Sequence, residues 1–80
     1  MNIGTAVARR IEELCRQKNI TLNKLATISG VTQSTLNSIV SGKCKSPTVA
    51  TVKKICDGLG ISLVVFFNAE VFYNLEQEIK

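Results

Sequence analysis

The sequence predicts a small all-α protein, a compact bundle of five short helices followed by one C-terminal helix. Apolar residues recur at steps of three and four along most of the chain, the spacing that gives a helix one apolar face. Hydroxyl residues precede several of these stretches and glycines follow them, as N-caps and C-terminal glycines do in helices. The 80 residues, 45% of them hydrophobic, are enough for one core and therefore for one domain.

The first helix is predicted over residues 3 to 17. Its apolar face carries Ile3, Val7, Ile11, Leu14 and Cys15. Charged side chains occupy the other side, and three arginines there are expected to face solvent: Arg9, Arg10 and Arg16.

Two short helices are predicted to meet at a tight corner. Thr21 caps a helix over residues 22 to about 29, which ends at Gly30. Only Val31 separates that glycine from Thr32, a second cap, after which a helix runs to residue 41. The two helices therefore meet across very few residues.

The next two helices are shorter or less clearly marked. Ser46 or Thr48 caps a helix over about residues 48 to 58, with Pro47 just before or at its first turn. Residues 61 to 67 could form a strand or a buried helical turn. We expect the helix, because a lone strand would have no partner in an otherwise helical chain.

A last helix is predicted over residues 69 to 79. Asn68 could cap it, and its apolar stripe consists of Phe72, Leu75 and Ile79 among glutamates. No linker, repeat or low-complexity segment separates this tail from the preceding helices.

Charge is distributed unevenly along the chain. Residues 1 to 56 hold nine Lys or Arg and two Glu, a net charge of +7, whereas residues 57 to 80 hold one Lys and four acidic residues, a net charge of −3. This asymmetry suggests that the first part of the chain meets a polyanion. An ordinary solvated basic surface would give the same pattern, so charge alone leaves both alternatives open.

Several classes of protein are excluded by composition. The three Cys form no CxxC pair and His is absent, so we expect no disulfide framework, no zinc site and no other metal or cofactor. The longest apolar run, residues 63 to 67, is too short to cross a membrane, and reduced thiols point to the cytoplasm. Without a nucleophile and base pair or a Gly-rich phosphate loop, we expect no enzyme.

The segment LNKLATISGVTQSTLNSIVS at residues 22 to 41 resembles the helix-turn-helix of the lambda-repressor-like family, also called the XRE or Cro-type family. Ala26 must be small because the second helix crosses close above it, and Gly30 supplies the positive φ of the corner. Three further positions point into the core together with Leu25, namely Val31, Leu36 and Ile39.

The resemblance extends over about residues 3 to 67. It includes Gly42, the basic stretch after it and Pro47, and also the segment LGISL at residues 59 to 63. It implies a DNA-binding domain at residues 1 to 67 and a helical extension at residues 68 to 80. Many family members pair a buried Arg with a Glu at the positions of Cys15 and Val40, so we expect these two apolar residues to be in contact here.

In this family the second helix of the motif reads DNA, which implies base contacts in the major groove from Gln33, Ser34, Asn37 and Ser38. An ordinary polar helix surface is the alternative. Phosphate contacts are expected from helix N-termini and from nearby polar and basic side chains, namely Thr21, Asn23, Lys24, Thr32, Lys43, Lys45 and Ser46.

The resemblance also implies a homodimer that reads a palindromic operator in double-stranded DNA, most simply as a repressor. Apolar residues late in the chain are candidates for the dimer contact, namely Val65, Phe66, Phe72 and Leu75. Alternatively, the tail folds back and completes its own core. A different alternative for the whole chain is a protein-interaction module, or a toxin-antitoxin antitoxin, that uses the same fold to hold a partner protein.

Overall fold

The computed structural model describes residues 1–79 and contains five α-helices in this range. They are α1 (Ile3–Lys18), α2 (Leu22–Ser29), α3 (Gln33–Val40), α4 (Val49–Leu59) and α5 (Leu63–Phe67). A short 3₁₀ turn, Glu70–Phe72, follows α5, and residues 1–79 contain no strand. The all-α bundle expected from the sequence is confirmed, including the helix rather than a strand before residue 68.

Three of the helices start at threonine caps. The hydroxyl oxygens of Thr21, Thr32 and Thr48 each accept a hydrogen bond from the backbone N–H three residues further on, at 3.1, 3.2 and 3.1 Å. Each bond satisfies one of the four N–H groups that a helix start leaves free. The caps expected at Thr21 and Thr32 are confirmed, and α4 is capped by Thr48 rather than Ser46.

One hydrophobic core lies between the helices. α1 packs against α3, and α2 packs against both α3 and α4. Every α-helix contributes to the largest fully buried side chains, which are Ile11, Leu25, Leu36, Ile39, Ile55, Cys56 and Phe66. Cys15 is buried in this core and Val40 packs at its edge, so neither position strands a charge. A direct contact between these two residues stays a prediction.

The prediction of a helix over residues 69 to 79 is wrong. Asn68 follows the end of α5 instead of capping a new helix, and only residues 70 to 72 form a single 3₁₀ turn. A helix of this length is marginal without packing along its whole apolar face. Here Phe72 packs on the core whereas Ile79 is 87% exposed, so that face has no common surface to bury itself against.

The tail instead folds back onto the first helix. The 3₁₀ turn contacts α1, and the backbone N–H of Glu76 donates a hydrogen bond to the carbonyl oxygen of Met1 at 3.0 Å. The Phe72 ring lies beside those of Phe66 and Phe67, with centroids 6.1 and 4.9 Å away. Residues 70 to 76 therefore pack against the bundle and do not form a free helical extension.

Arg10 also departs from expectation. The sequence places it on the solvent side of α1, but the side chain is only 7% exposed and is the buried charged residue among residues 1–79. Its guanidinium is satisfied by hydrogen bonds to the end of α5 and by an ion pair with Glu13. Burial is tolerated because those partners replace water at the charged group.

Candidate nucleic-acid interface

The corner between α2 and α3 is formed by backbone conformation. Gly30 ends α2 with φ of 70°, in the left-handed region that glycine adopts without strain, and its N–H donates to the carbonyl oxygen of Ala26 at 3.1 Å. Val31 then enters the core and Thr32 starts α3. The chain thus turns from one helix to the next within three residues, as the sequence predicts.

The inner face of α3 is fixed by the core and its outer face is polar. Leu36 and Ile39 are buried, whereas Gln33, Ser34 and Asn37 are exposed. Ser38 is half-buried beside them. The four residues expected to read bases line one shallow depression on the surface, together with Ser41 and Lys43. Ser41 was not singled out from the sequence, because its position at the end of the helix gave no sign of the face it occupies.

A side-chain hydrogen bond links the starts of the two helices. The amide nitrogen of Gln33 donates to the amide oxygen of Asn23, which lies ten residues earlier in the first turn of α2. The bond leaves the carbonyl oxygen and the second amide N–H of Gln33, and the amide N–H₂ group of Asn23, available for other partners. A residue expected to contact phosphate thereby orients one expected to contact a base.

The candidate phosphate contacts all lie on the surface. Each of Thr21, Asn23, Lys24, Thr32, Lys43, Lys45 and Ser46 is exposed. They come from the starts of α2 and α3 and from the loop after α3. Of this set, Lys43 lines the same depression as the polar residues of α3, and Asn23 contacts Gln33. Their roles toward DNA stay predictions.

The loop after α3 is held in place from two sides. The N–H of Cys44 donates to the carbonyl oxygen of Ser38 at 2.9 Å. On the other side, Gly4 of α1 approaches so closely that a Cβ built on it would lie 2.7 Å from the carbonyl oxygen of Lys45. This close approach requires glycine, and nothing in the sequence indicated it. The two lysines of the loop are therefore carried on an ordered backbone.

The four candidate dimer residues are not all on the surface. Val65 is exposed, Phe72 and Leu75 are half-buried, and Phe66 is 0% exposed. Phe66 is a core residue of this chain, so its inclusion in a contact surface is wrong. The large apolar side chains that are exposed nearby are Val64, Val65, Phe67 and Tyr73.

Two of the three thiols are buried. Burial raises the pKa of Cys15, with a further contribution from the negative charge of Glu12, and burial likewise raises the pKa of Cys56. Both thiols are therefore held in the protonated, weakly nucleophilic form. Cys44, in the loop after α3, is partly exposed.

The tight corner at Gly30 and the exposed polar face of the following helix define a helix-turn-helix protein. Residues 11–66 match the model of the helix-turn-helix family HTH_3. The chain belongs to this family, and its relatives are HTH-type transcriptional regulators. The XRE-type resemblance seen in the sequence is confirmed.

Three known proteins illustrate the relationship. Over 65 residues the chain is 32% identical to HTH-type transcriptional regulator PuuR of Escherichia coli (strain K12), a match that covers 81% of this chain and 35% of PuuR. It is 36% identical over 52 residues to HTH-type transcriptional repressor RghR of Bacillus subtilis (strain 168), covering 65% of this chain and 38% of RghR. The crystal structure of prophage Lp1 protein 11 superimposes with a TM-score of 0.81 at 38% identity, covering 94% of this chain and 100% of that one.

The chain thus spans only 35% of the length of PuuR. Within residues 1–79, no helix has the length and apolar character needed to cross a membrane.

Proposed function

We propose that this chain binds a palindromic operator in double-stranded DNA as a homodimer and represses transcription from it in the cytoplasm. The observation that carries the proposal is the outer face of α3. There Gln33, Ser34, Asn37 and Ser38 line one depression, on a helix whose opposite face is held by the core.

Base reading would rest on the two amide side chains. The amide of Asn or Gln can donate to N7 of adenine and accept from the N6 amino group of the same base. No other base presents this pair of groups in the major groove. The hydrogen bond between Gln33 and Asn23 limits the rotation of the Gln33 amide, so the reading group is oriented before DNA arrives. Asn37, one turn further along α3, would read the next base pairs. The serine hydroxyls can donate to acceptor groups or accept from donor groups on the base edges.

Anchoring would come from the edges of this face. The starts of α2 and α3 present free N–H groups and the positive end of the helix dipole toward a phosphate. Lys43 and Lys45 add full charges from an ordered loop. Contacts of this kind fix the register of α3 in the groove without reading sequence.

A homodimer is supported by the surface around α5. Residues 58 to 69 contain no charged side chain, although the whole chain carries a net charge of +4. Two copies can therefore approach through this segment with little repulsion and bury Val64, Val65 and Phe67, which are exposed. A two-fold pair would present two α3 helices to half-sites about 34 Å apart on one side of the duplex.

Repression is the simplest outcome for such a pair, because a dimer held on an operator excludes other proteins from it. The name of the relative RghR as a repressor supports this direction. The proposal for transcription thus goes beyond DNA binding itself and is tested separately, with a reporter placed behind the selected operator.

Selection of bound duplexes from a random DNA pool tests the central claim. We expect enrichment of an inverted repeat whose half-sites are one helical turn apart. Enrichment of a single unpaired half-site would contradict the dimer. No enrichment, together with binding to a protein that persists at high salt, would favour the protein-interaction module or antitoxin instead.

Two substitutions on the selected operator separate reading from anchoring. Asn37→Ala should lower the discrimination between the selected base and its alternatives by about tenfold or more, because a bidentate amide contact is lost. Lys43→Ala should weaken all sequences about equally and reduce the slope of log K against log salt by about 0.9. Fluorescence anisotropy titrations at several salt concentrations measure both.

Each substitution has a matched control elsewhere on the surface. Asn74→Ala removes an exposed amide in the tail, and Lys54→Ala removes an exposed charge from α4. Neither should change base preference, and Lys54→Ala should leave most of the salt slope intact. If the controls matched Asn37→Ala and Lys43→Ala, the assignment of α3 as the reading surface would be incorrect.

A further inference from the structure

Arg10 connects two distant parts of the chain. Its Nε donates to the carbonyl oxygen of Phe66 at 2.7 Å and its Nη2 donates to that of Val65 at 2.8 Å. Its Nη1 is held by the carboxylate of Glu13 one turn further along α1. The planar guanidinium is thus fixed on both sides inside the protein, with only 7% of the residue exposed.

The two carbonyls that Arg10 binds lie in the last turn of α5. The last four carbonyls of any helix have no partner within that helix. The Val65 carbonyl accepts from the N–H of Asn68 at 3.3 Å as well as from Arg10, and the Phe66 carbonyl accepts from Arg10. A positive charge at that end is also favoured by the helix dipole. Arg10 therefore donates to the Phe66 carbonyl, adds a second donor at the Val65 carbonyl and places a positive charge at the end of α5.

Few other contacts hold α5: Leu63 packs at the edge of the core, and the Phe72 ring lies beside those of Phe66 and Phe67. It has five residues, far fewer than an isolated helix needs for stability in water. Phe66 is its only fully buried side chain, and Ser62 caps its start by accepting from the N–H of Val65 at 3.1 Å. On the outer side of the same turn, Val64 is 79% exposed and Val65 and Phe67 are exposed as well.

We propose that Arg10 is a positioning residue for dimerisation: by binding the carbonyls of Val65 and Phe66, it holds α5 in the one orientation that presents Val64, Val65 and Phe67 to a second copy of this chain. The inference rests on the homodimer proposed above and deepens it. Arg10 itself makes no contact across the interface, because it is buried within its own subunit.

The mechanism has a quantitative signature. When only a fraction f of a protein is in the binding-competent state, its apparent dissociation constant rises by 1/f. In a homodimer both partners must have α5 docked, so the factor becomes 1/f². An α5 that is docked for a third of the time weakens the dimer about ninefold, and one docked for a tenth of the time weakens it about a hundredfold.

The experiment compares Arg10→Met, Arg10→Lys and Ile39→Val with the unaltered protein. Met keeps the apolar stem of the side chain but none of its donors, and Lys offers one compact ammonium in place of the planar fork. Ile39→Val is the control for general destabilisation, since Ile39 is buried in α3 and has no part in α5. Analytical ultracentrifugation gives the dimer dissociation constant, and native-state hydrogen exchange of the Phe66 and Asn68 amides gives f in dilute monomer.

We expect Arg10→Met to speed exchange of those two amides by about tenfold or more, because each hydrogen bond from a charged donor changes an equilibrium constant by at least about that factor. Its dimer constant should rise by the 1/f² that the exchange data give, and Arg10→Lys should fall between it and the unaltered protein. Ile39→Val should lower thermal stability while leaving the dimer constant within about twofold.

Equal weakening of the dimer by Ile39→Val, or an unchanged dimer constant in a folded Arg10→Lys protein, would overturn the inference. Val64→Asp tests the surface independently of Arg10, since Val64 is exposed and lies outside the core. A dimer that survives Val64→Asp refutes the proposed surface, and a monomeric unaltered protein refutes the homodimer. A dimer sensitive to Val64→Asp but not to Arg10 variants refutes only the positioning role.

Discussion

Gly58 of α4 lies in close contact with the end of α2. A Cβ built on Gly58 would lie 2.8 Å from the Cα of Ser29 and 2.9 Å from the carbonyl oxygen of Ile28. Both atoms belong to the backbone at the end of α2, directly before the corner at Gly30. Gly58→Ala therefore forces α2 and α4 apart, because no flexible side chain is there to move aside.

Two opposing effects decide the sign of this substitution. Replacing glycine by alanine within a helix stabilises it by about 1 kcal/mol. Inserting a methyl group into a closed backbone contact costs up to about 3 kcal/mol, since the backbone itself must shift. We expect the steric cost to be larger and Gly58→Ala to lower the free energy of unfolding by about 2 kcal/mol, which for a domain of this size lowers Tm by about 10 °C.

Urea denaturation followed by circular dichroism measures the free energy of unfolding. The exposed residue Lys54 provides the control, because comparing Lys54→Ala with Lys54→Gly gives the alanine preference of α4 without a packing change. If Gly58→Ala raised stability by the difference found at Lys54, the two helices would not be in the close contact described, and the reasoning would be refuted.

Two further outcomes follow from the same structure. Gly30→Ala should lower the free energy of unfolding by about 1–2 kcal/mol through backbone strain alone, because φ is 70° and no atom lies within 4 Å of an added Cβ. Gly30→Asn should lower it less in the same urea titration, and equal losses would indicate a steric cause. Alkylation at pH 8 followed by mass spectrometry should modify Cys44 first. Burial raises the pKa of Cys15 and Cys56, so few of these thiols are in the reactive thiolate form. Rapid modification of all three thiols in folded protein would contradict the packing of the core.

The parts of the fold that could be predicted are those decided within a few residues. Thr21 and Thr32 cap helices through a bond to a backbone N–H three residues away, and Gly30 ends a helix through its own φ. The same local logic exposes Gln33 and Asn37, since their buried neighbours on α3 leave them only the outer face. Interactions between residues close together in the chain can be predicted from the sequence.

The parts that could not be predicted depend on residues far apart in the chain. The tail is shaped by the Phe72 ring against Phe66 and by the bond from Glu76 to Met1, and neither partner can be recognised from the tail itself. Gly4 likewise faces the backbone of Lys45, a contact that leaves no mark on the local sequence. The apolar stripe in the tail therefore predicted a helix that the contacts of the tail with the rest of the chain do not support.

The segment LVVFF of α5 shows why a periodic pattern fails where every residue is apolar. A helical period is detected by the contrast between apolar and polar positions, and without that contrast any of the five side chains could face the core. The structure puts Phe66 inside and leaves Val64, Val65 and Phe67 outside. Arg10 binds backbone carbonyls, which every residue possesses, so its choice of partners 55 and 56 positions away has no counterpart in the side-chain pattern. Because that choice fixes which apolar side chains remain exposed, a search for dimer determinants confined to α5 and the tail would miss the residue that orients them.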